Sequence, residues 1–222
     1  MQVQLTDKMG SDLTVVNSAR VSYAKQSEFE DVYVEHGKFE TYEKRLSAKD
    51  EKLIAYLAKH NHWSPFAHCS LQFRIKAPVF VARQLVKHQV GLSWNEVSRR
   101  YVDDAPEFFE PTEWRGRPIN SKQGSDGVVE TDNEYYSRYI NGCKVYYHLL
   151  LNQGVAPEQA RMVLPQSMMT EWYWSGTLYA FARVCNLRCK SDTQKETQDV
   201  ANAIALHCSK EFPISWSHLI DK

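Results

Sequence analysis

The chain has no long apolar run, and none of its hydrophobic stretches approaches the roughly 20 residues a helix needs to cross a bilayer. Met1 to Gly10 also lacks the apolar segment of a secretory leader, so a cytoplasmic protein without a membrane partner is expected. An excess of one charge is missing too: 27 lysines and arginines balance 27 aspartates and glutamates. No global field then draws the chain to nucleic acid, and any anion must be held by local groups. Cysteine is sparse and odd in number, with Cys69, Cys143, Cys185, Cys189 and Cys208 forming no CxxC pair. That excludes a disulfide framework and argues for reduced thiols. His60, His62 and His68 come nearest to a metal cluster, but Trp63 to Phe66 intervene and no carboxylate lies close, so no metal site is expected. Repeats and low-complexity tracts are absent, and the 222 residues are read as one domain, 1–222.

Periodicity supplies the elements. Val3 to Leu5 suits a strand and Leu13 to Val21 a helix, while Glu28 to Tyr42, acidic and aromatic, reads as an irregular connection. Ser47 caps a helix bearing Leu53, Ile54 and Leu57 and ending near His60. Cys69 to Lys76 alternates as a half-buried strand does. Turn residues crowd Pro106 to Gly127, the segment expected to be a mobile loop. Helical spacing returns from Asp132 to Gln153 and stops at Gly154, and a short helix begins at Pro157. Ser167 to Ser175 suits a strand and Gly176 to Cys185 a helix, and Ser191 with Gln194 reads as a capping box before a final helix carrying Val200, Ile204 and Cys208. Helices outnumber strands without regular βαβ alternation. The expected class is α+β, a central mixed or antiparallel sheet flanked by helices.

The chemistry concentrates between Arg83 and Tyr101, where cations, a histidine, a carboxylate and two serines share nineteen residues. Pro78 opens a helix that would set Gln84, Lys87 and His88 on one face while Val81, Ala82 and Leu85 face a core. Beyond Gly91 the pattern breaks, and Ser93 to Arg100 is expected as a loop or short turn. Guanidinium, ammonium and hydroxyl groups in such company suit a phosphate ester joined to a flat polar base.

This segment resembles the signature of the flavin-dependent thymidylate synthases, an Arg-Gln pair leading to Arg-His-Arg, a spacer and Ser-x-Arg-Tyr. Here the triplet is Lys87-His88-Gln89, and the spacer, Val90 to Val97, is one residue longer. Ala19-Arg20-Val21-Ser22, His60 to His68, Ile75 to Gln84, Ala160 to Pro165 and Asn186-Leu187-Arg188 resemble the family's other motifs in the same order.

The resemblance implies methylation of dUMP to dTMP with FAD, NADPH and 5,10-methylenetetrahydrofolate, in a homotetramer whose active sites are shared between subunits. It implies that Gln84, Lys87, Glu96, Ser98, Arg99, Arg100 and Arg161, with backbone groups of Leu85, Val86 and Val97, surround dUMP. It puts Arg188 against the pyrimidine as the catalytic charge stabiliser, and Ser64, Lys87, His88, Gln89 and Glu96 against FAD. Ala67, Thr177, Tyr179, Arg183 and Asp192 differ from residues common in the family. The cysteine-dependent thymidylate synthases need a Pro-Cys-His segment, and none occurs here. For Arg188 the plainer alternative is a helix-terminal arginine bonded to carbonyls, and for His88 a packing residue. Two other functions stand beside this one. A relative installing hydroxymethyl on the same nucleotide fits the altered spacer. A nucleotide or RNA binder using Arg99, Arg100, Arg115 and Arg117 fits less well, because the chain lacks a basic bias.

Overall fold

The computed structural model describes residues 1–36, 39–119 and 121–221. Four antiparallel strands form its main sheet in the order β1, β4, β8, β5: β1 (Gln2–Met9), β4 (Ser70–Pro78), β8 (Met169–Thr177) and β5 (Leu92–Glu96). The two central strands alternate strictly. Leu71, Phe73, Ile75 and Ala77 of β4 and Trp172 and Trp174 of β8 are buried, whereas Arg74 and Tyr173 face outward. Arg74 pairs with Glu171, and Gln72 donates to Ser175 Oγ at 2.9 Å, so the outer face is bound together by polar cross-strand contacts.

The inner face is covered by helices. Phe181 of α7 (Leu178–Arg188) meets Phe73 edge-on at 5.0 Å and Trp174 at 5.4 Å. Helices α1 (Asp12–Arg20), α2 (Ala48–Lys59), α4 (Val79–Leu85), α8 (Lys195–Glu211) and α9 (Pro213–Leu219) add Val16, Ile54, Leu85, Ile204 and Trp216 to the same core. The stripe on α2 follows the spacing legible in the sequence, and Ser47 caps this helix by accepting from Asp50 N–H. Between β4 and α2 lies the one-turn α3 (Ser64–Ala67). The long α5 (Asn133–Asn152) buries only Ile140 and Tyr147 and packs on the short α6 (Pro157–Ala160), away from the main core.

Several expectations need correction. The stretch 28–42 is not wholly irregular: β2 (Glu30–His36) pairs antiparallel with β3 (Phe39–Arg45), while 37 and 38 lie outside the described residues. The stretch 106–127 is not wholly loop, because β6 (Trp114–Gly116) pairs with β7 (Asp126–Val129). Ser93 to Glu96 belongs to β5, held by backbone pairing with β8. Helix α7 continues past Cys185 to Arg188. No Ser191 capping box forms; Gln194 is the N-cap of α8 and its side chain makes no cap bond. After α8, Pro213 starts a further helix.

Candidate active site

Helix α4 stops at Leu85, so the expected single face of Gln84, Lys87 and His88 does not exist. Val86 N–H donates to Ala82 O at 2.9 Å and His88 N–H to Leu85 O at 3.0 Å, which turns the chain out of the helix. Gly91 then reverses it into β5 at φ +75°, against Ala180 and Thr177, where a side chain would be both strained and crowded. Gln84 and the run Lys87-His88-Gln89 consequently open onto different clefts.

Gln84 lines a cleft of about 600 Å³ walled by Phe80, Phe109, Trp114 and Tyr136 and by Arg188 at the end of α7. Arg188 Nε donates to His88 Nε2 at 3.0 Å. Burial, then the charges of Arg188 and Arg183, hold the His88 pKa below the ordinary histidine value, so the imidazole is neutral at pH 7 and free to accept that bond. Two of the cleft's other charges, Arg115 and Glu196, pair with each other. Burial, the largest single influence, pushes the Glu196 carboxyl up, but the Arg115 bond and charge, a backbone N–H and the Gln194 amide together bring the net shift downward.

The remaining residues singled out in the sequence lie elsewhere. Lys87, His88 and Gln89 share a cleft of about 190 Å³ with Arg183, floored by Leu92, Ala180, Val184 and Leu187. Val97 and Arg99 line one of about 260 Å³, with Arg99 bonded to the carbonyl of Asp104. Arg100 is exposed, its Nε donating to Ser98 Oγ at 3.2 Å. Arg161 is exposed as well, with Nε on Glu158 O at 3.1 Å. Glu96 accepts from Thr170 Oγ1 at 2.8 Å and Trp94 Nε1 at 3.1 Å. Ser64 opens onto a groove of about 550 Å³ with Arg20, Ser22, His62 and Trp63. The Leu85 side chain is fully buried, and the N–H groups of Val86 and Val97 are bonded to Ala82 O and Glu171 O. Within one chain, Arg188 lines the Gln84 cleft and bonds His88, Lys87 and Arg183 share the smaller cleft with His88, and Arg99, Arg100 and Arg161 lie apart from both.

Sequence reading missed the residues that hold Gln84. Gln194 accepts from its amide nitrogen, and Thr197 Oγ1 donates to Gln84 Oε1 at 3.2 Å. The only local signal was a polar start to α8, which the capping-box reading assigned to the helix itself.

Residues 4–214 match the family model described as thymidylate synthase complementing protein. A flavin-dependent thymidylate synthase of Kosmotoga olearia is 38% identical over 224 residues, covering 99% of this chain and 90% of that one. One from Thermus thermophilus is 35% identical over 225 residues, covering 99% and 77%. Among solved structures, a UMP/dUMP methylase PolB from Streptomyces cacaoi bound with 5-Br UMP superposes with a TM-score of 0.81 at 27% identity, covering 100% of this chain and 96% of its own.

Proposed function

We propose that this chain, which belongs to the thymidylate synthase complementing protein family, is a flavin-dependent thymidylate synthase that methylates dUMP with 5,10-methylenetetrahydrofolate, NADPH and FAD. The observation that carries the reading is the 3.0 Å contact between His88 and Arg188, the latter lining the cleft that also holds Gln84. A guanidinium fixed by a neutral acceptor keeps its charge and its plane. It stabilises negative charge on a pyrimidine as that charge develops, with no reorganisation at the moment of reaction. The aromatic wall of Phe80, Phe109 and Trp114 suits a flat ring. Gln84 supplies an oriented amide to the base.

The residues present fit a flavin dinucleotide in their donor chemistry. Lys87, His88, Gln89 and Arg183 set cations, an amide and an imidazole around an apolar floor, and in a groove that Arg183 also lines the 55%-exposed Trp63 lies 6.3 Å from Tyr179, leaving an aromatic surface open to a ring. Lys87, His88, Gln89 and Ser64 would hold FAD, with Arg183 standing in for a phosphate contact. When bound, it supplies the reducing equivalents, a task for which the protein need provide no thiol.

Ser98, Arg99, Arg100 and Arg161 reach dUMP in this reading from a neighbouring subunit, in a homotetramer of single-domain chains. Helix α5 supports that arrangement. Tyr135, Tyr139, Gly142, Tyr146 and Leu149 recur at alternating spacings of four and three and are all exposed, the pattern of a helix seam that expects a partner. Tyr139→Glu with Tyr146→Glu is expected to lower the mass seen by analytical ultracentrifugation.

The test is direct: purified protein is reconstituted with FAD and supplied with dUMP, the folate and NADPH, and the product is weighed by mass spectrometry. Thymidylate supports the reading; a hydroxymethyl product, or none from flavin-loaded protein, overturns it.

A further inference from the structure

Gln84 and the hairpin of β6 and β7 are joined by an unbroken run of hydrogen bonds. Gln84 Nε2 donates to Gln194 Oε1, and Gln194 Nε2 donates to Glu196 Oε2 at 3.1 Å. The other oxygen of Glu196 is taken by Arg115, whose Nε donates to Ser125 Oγ at 2.9 Å. Glu196 is only 7% exposed. Beside it, Gly124 packs so closely on the α7 to α8 connection that an added Cβ would lie 3.0 Å from Asp192 O.

We infer that Glu196 is a positioning residue for dUMP binding, acting through Gln194 to fix which end of the Gln84 amide faces the nucleotide. The inference rests on the proposed function only in taking Gln84 as a nucleotide contact. A primary amide is nearly symmetric in shape, and its orientation is set by its partners. An ionised carboxylate only accepts. Glu196 therefore draws the N–H of Gln194, which turns the Gln194 oxygen toward Gln84 and draws its N–H in turn. Thr197 secures the other end by donating to Gln84 Oε1 at 3.2 Å. Arg115 supplies the charge that keeps Glu196 ionised and in place, so docking of the 106–129 segment is part of the same arrangement. A uracil ring presents donors and acceptors in a fixed alternation along its edge, and a flipped Gln84 would set donor against donor. Replacing Glu196 by glutamine removes the acceptor-only end, because a second amide sits equally well either way round.

The experiment is a double-mutant cycle on flavin-loaded protein, with dUMP affinity read by calorimetry for wild type, Q84A, E196Q and Q84A/E196Q. One oriented hydrogen bond to a ligand is worth roughly tenfold in affinity. E196Q is expected to weaken dUMP by about that factor in the wild-type background and by less than about twofold in the Q84A background. R115A, which leaves α8 unchanged, is expected to follow the same pattern with a smaller loss, and it carries the cycle alone if E196Q does not fold. Equal losses in both backgrounds, or none in the wild type, overturn the inference. Q84A binding dUMP as tightly as wild type removes Gln84 from the site and the inference with it. Wild-type protein that takes up flavin but no dUMP overturns the proposed function instead.

Discussion

Arg188 Nε lies 3.0 Å from His88 Nε2, joining the last residue of α7 to the turn after α4 across a hundred residues of chain. The bond requires a neutral imidazole, and burial with two neighbouring guanidiniums keeps it so.

The first prediction is therefore a pH dependence. The His88 pKa is depressed on folding, so its contribution to stability is full above the ordinary histidine value and is lost as pH falls through the lowered one. Protonation also ends acceptance at Nε2 and sets two cations face to face. Single-turnover methylation at saturating dUMP is expected to decline on the acid side, with a midpoint below the ordinary histidine pKa. His88→Asn keeps an acceptor but no titrating group and is expected to flatten that limb. An unchanged limb in the variant would show that another group governs it.

Thiol chemistry is expected to be dispensable. All five cysteines are free, and burial pushes Cys69 up to about 12 and raises Cys208 further. Cys185 is raised by its hydrogen bond to Cys189 and by burial; Cys189, next to Arg188, is lowered by the same bond. Cys189→Ser is the sharpest of the five substitutions, and thymidylate formation is expected to survive it. Abolished turnover with flavin content and folding intact would point to a covalent cysteine mechanism.

A stability prediction follows from Gly176. A Cβ there would lie 2.3 Å from Leu92 Cδ2 and 2.7 Å from Gly91 O, where β5 meets β8. Leu92 can rotate, but the carbonyl cannot move without shifting β5. Gly176→Ala is expected to cost about 1–3 kcal/mol, the scale of overpacking in a closed site. Thermal melts of wild type and variant measure it, and an unchanged midpoint would mean that the strand pair has slack.

What the sequence revealed depended on how local each pattern was. Strands β4 and β8 were legible because burial of one face forces alternation, α2 and α8 because each puts an apolar stripe on the core, and α5 because Tyr136, Ile140, Tyr147 and Leu150 recur at helical spacing. Strand β5 was hidden: Leu92 to Glu96 is short, and its pairing partners, Trp172 to Gly176, lie some eighty residues on. The pair of β2 and β3 carries acidic and aromatic residues with no clean alternation, so no periodicity announced it. At the site, motif resemblance singled out Gln84, His88 and Arg188, and folding bonds Arg188 to His88 and sets it in the cleft that Gln84 lines. Gln194 and Glu196 could not be found that way, since their partners Gln84 and Arg115 are distant in sequence and the contacts exist only once α8 packs on α4.

The last prediction separates a charge stabiliser from a binding contact. Arg188→Lys keeps a positive charge at the end of α7, but an ammonium cannot donate to His88 and at the same time present a planar fork to a pyrimidine edge. The damage should therefore fall on the transition state more than on the bound substrate, with turnover reduced roughly 10²-fold or more and dUMP affinity reduced far less. Arg161→Lys is the comparison, because Arg161 is exposed in the single chain and its Nε donates to the Glu158 carbonyl at 3.1 Å. As a ground-state contact to the nucleotide it should weaken affinity and kcat/KM together while sparing turnover at saturation. Calorimetry with dUMP and single-turnover reoxidation of the reduced enzyme read the two effects independently. Near-normal turnover in Arg188→Lys would leave Arg188 a structural residue at a helix end and remove it from the chemistry.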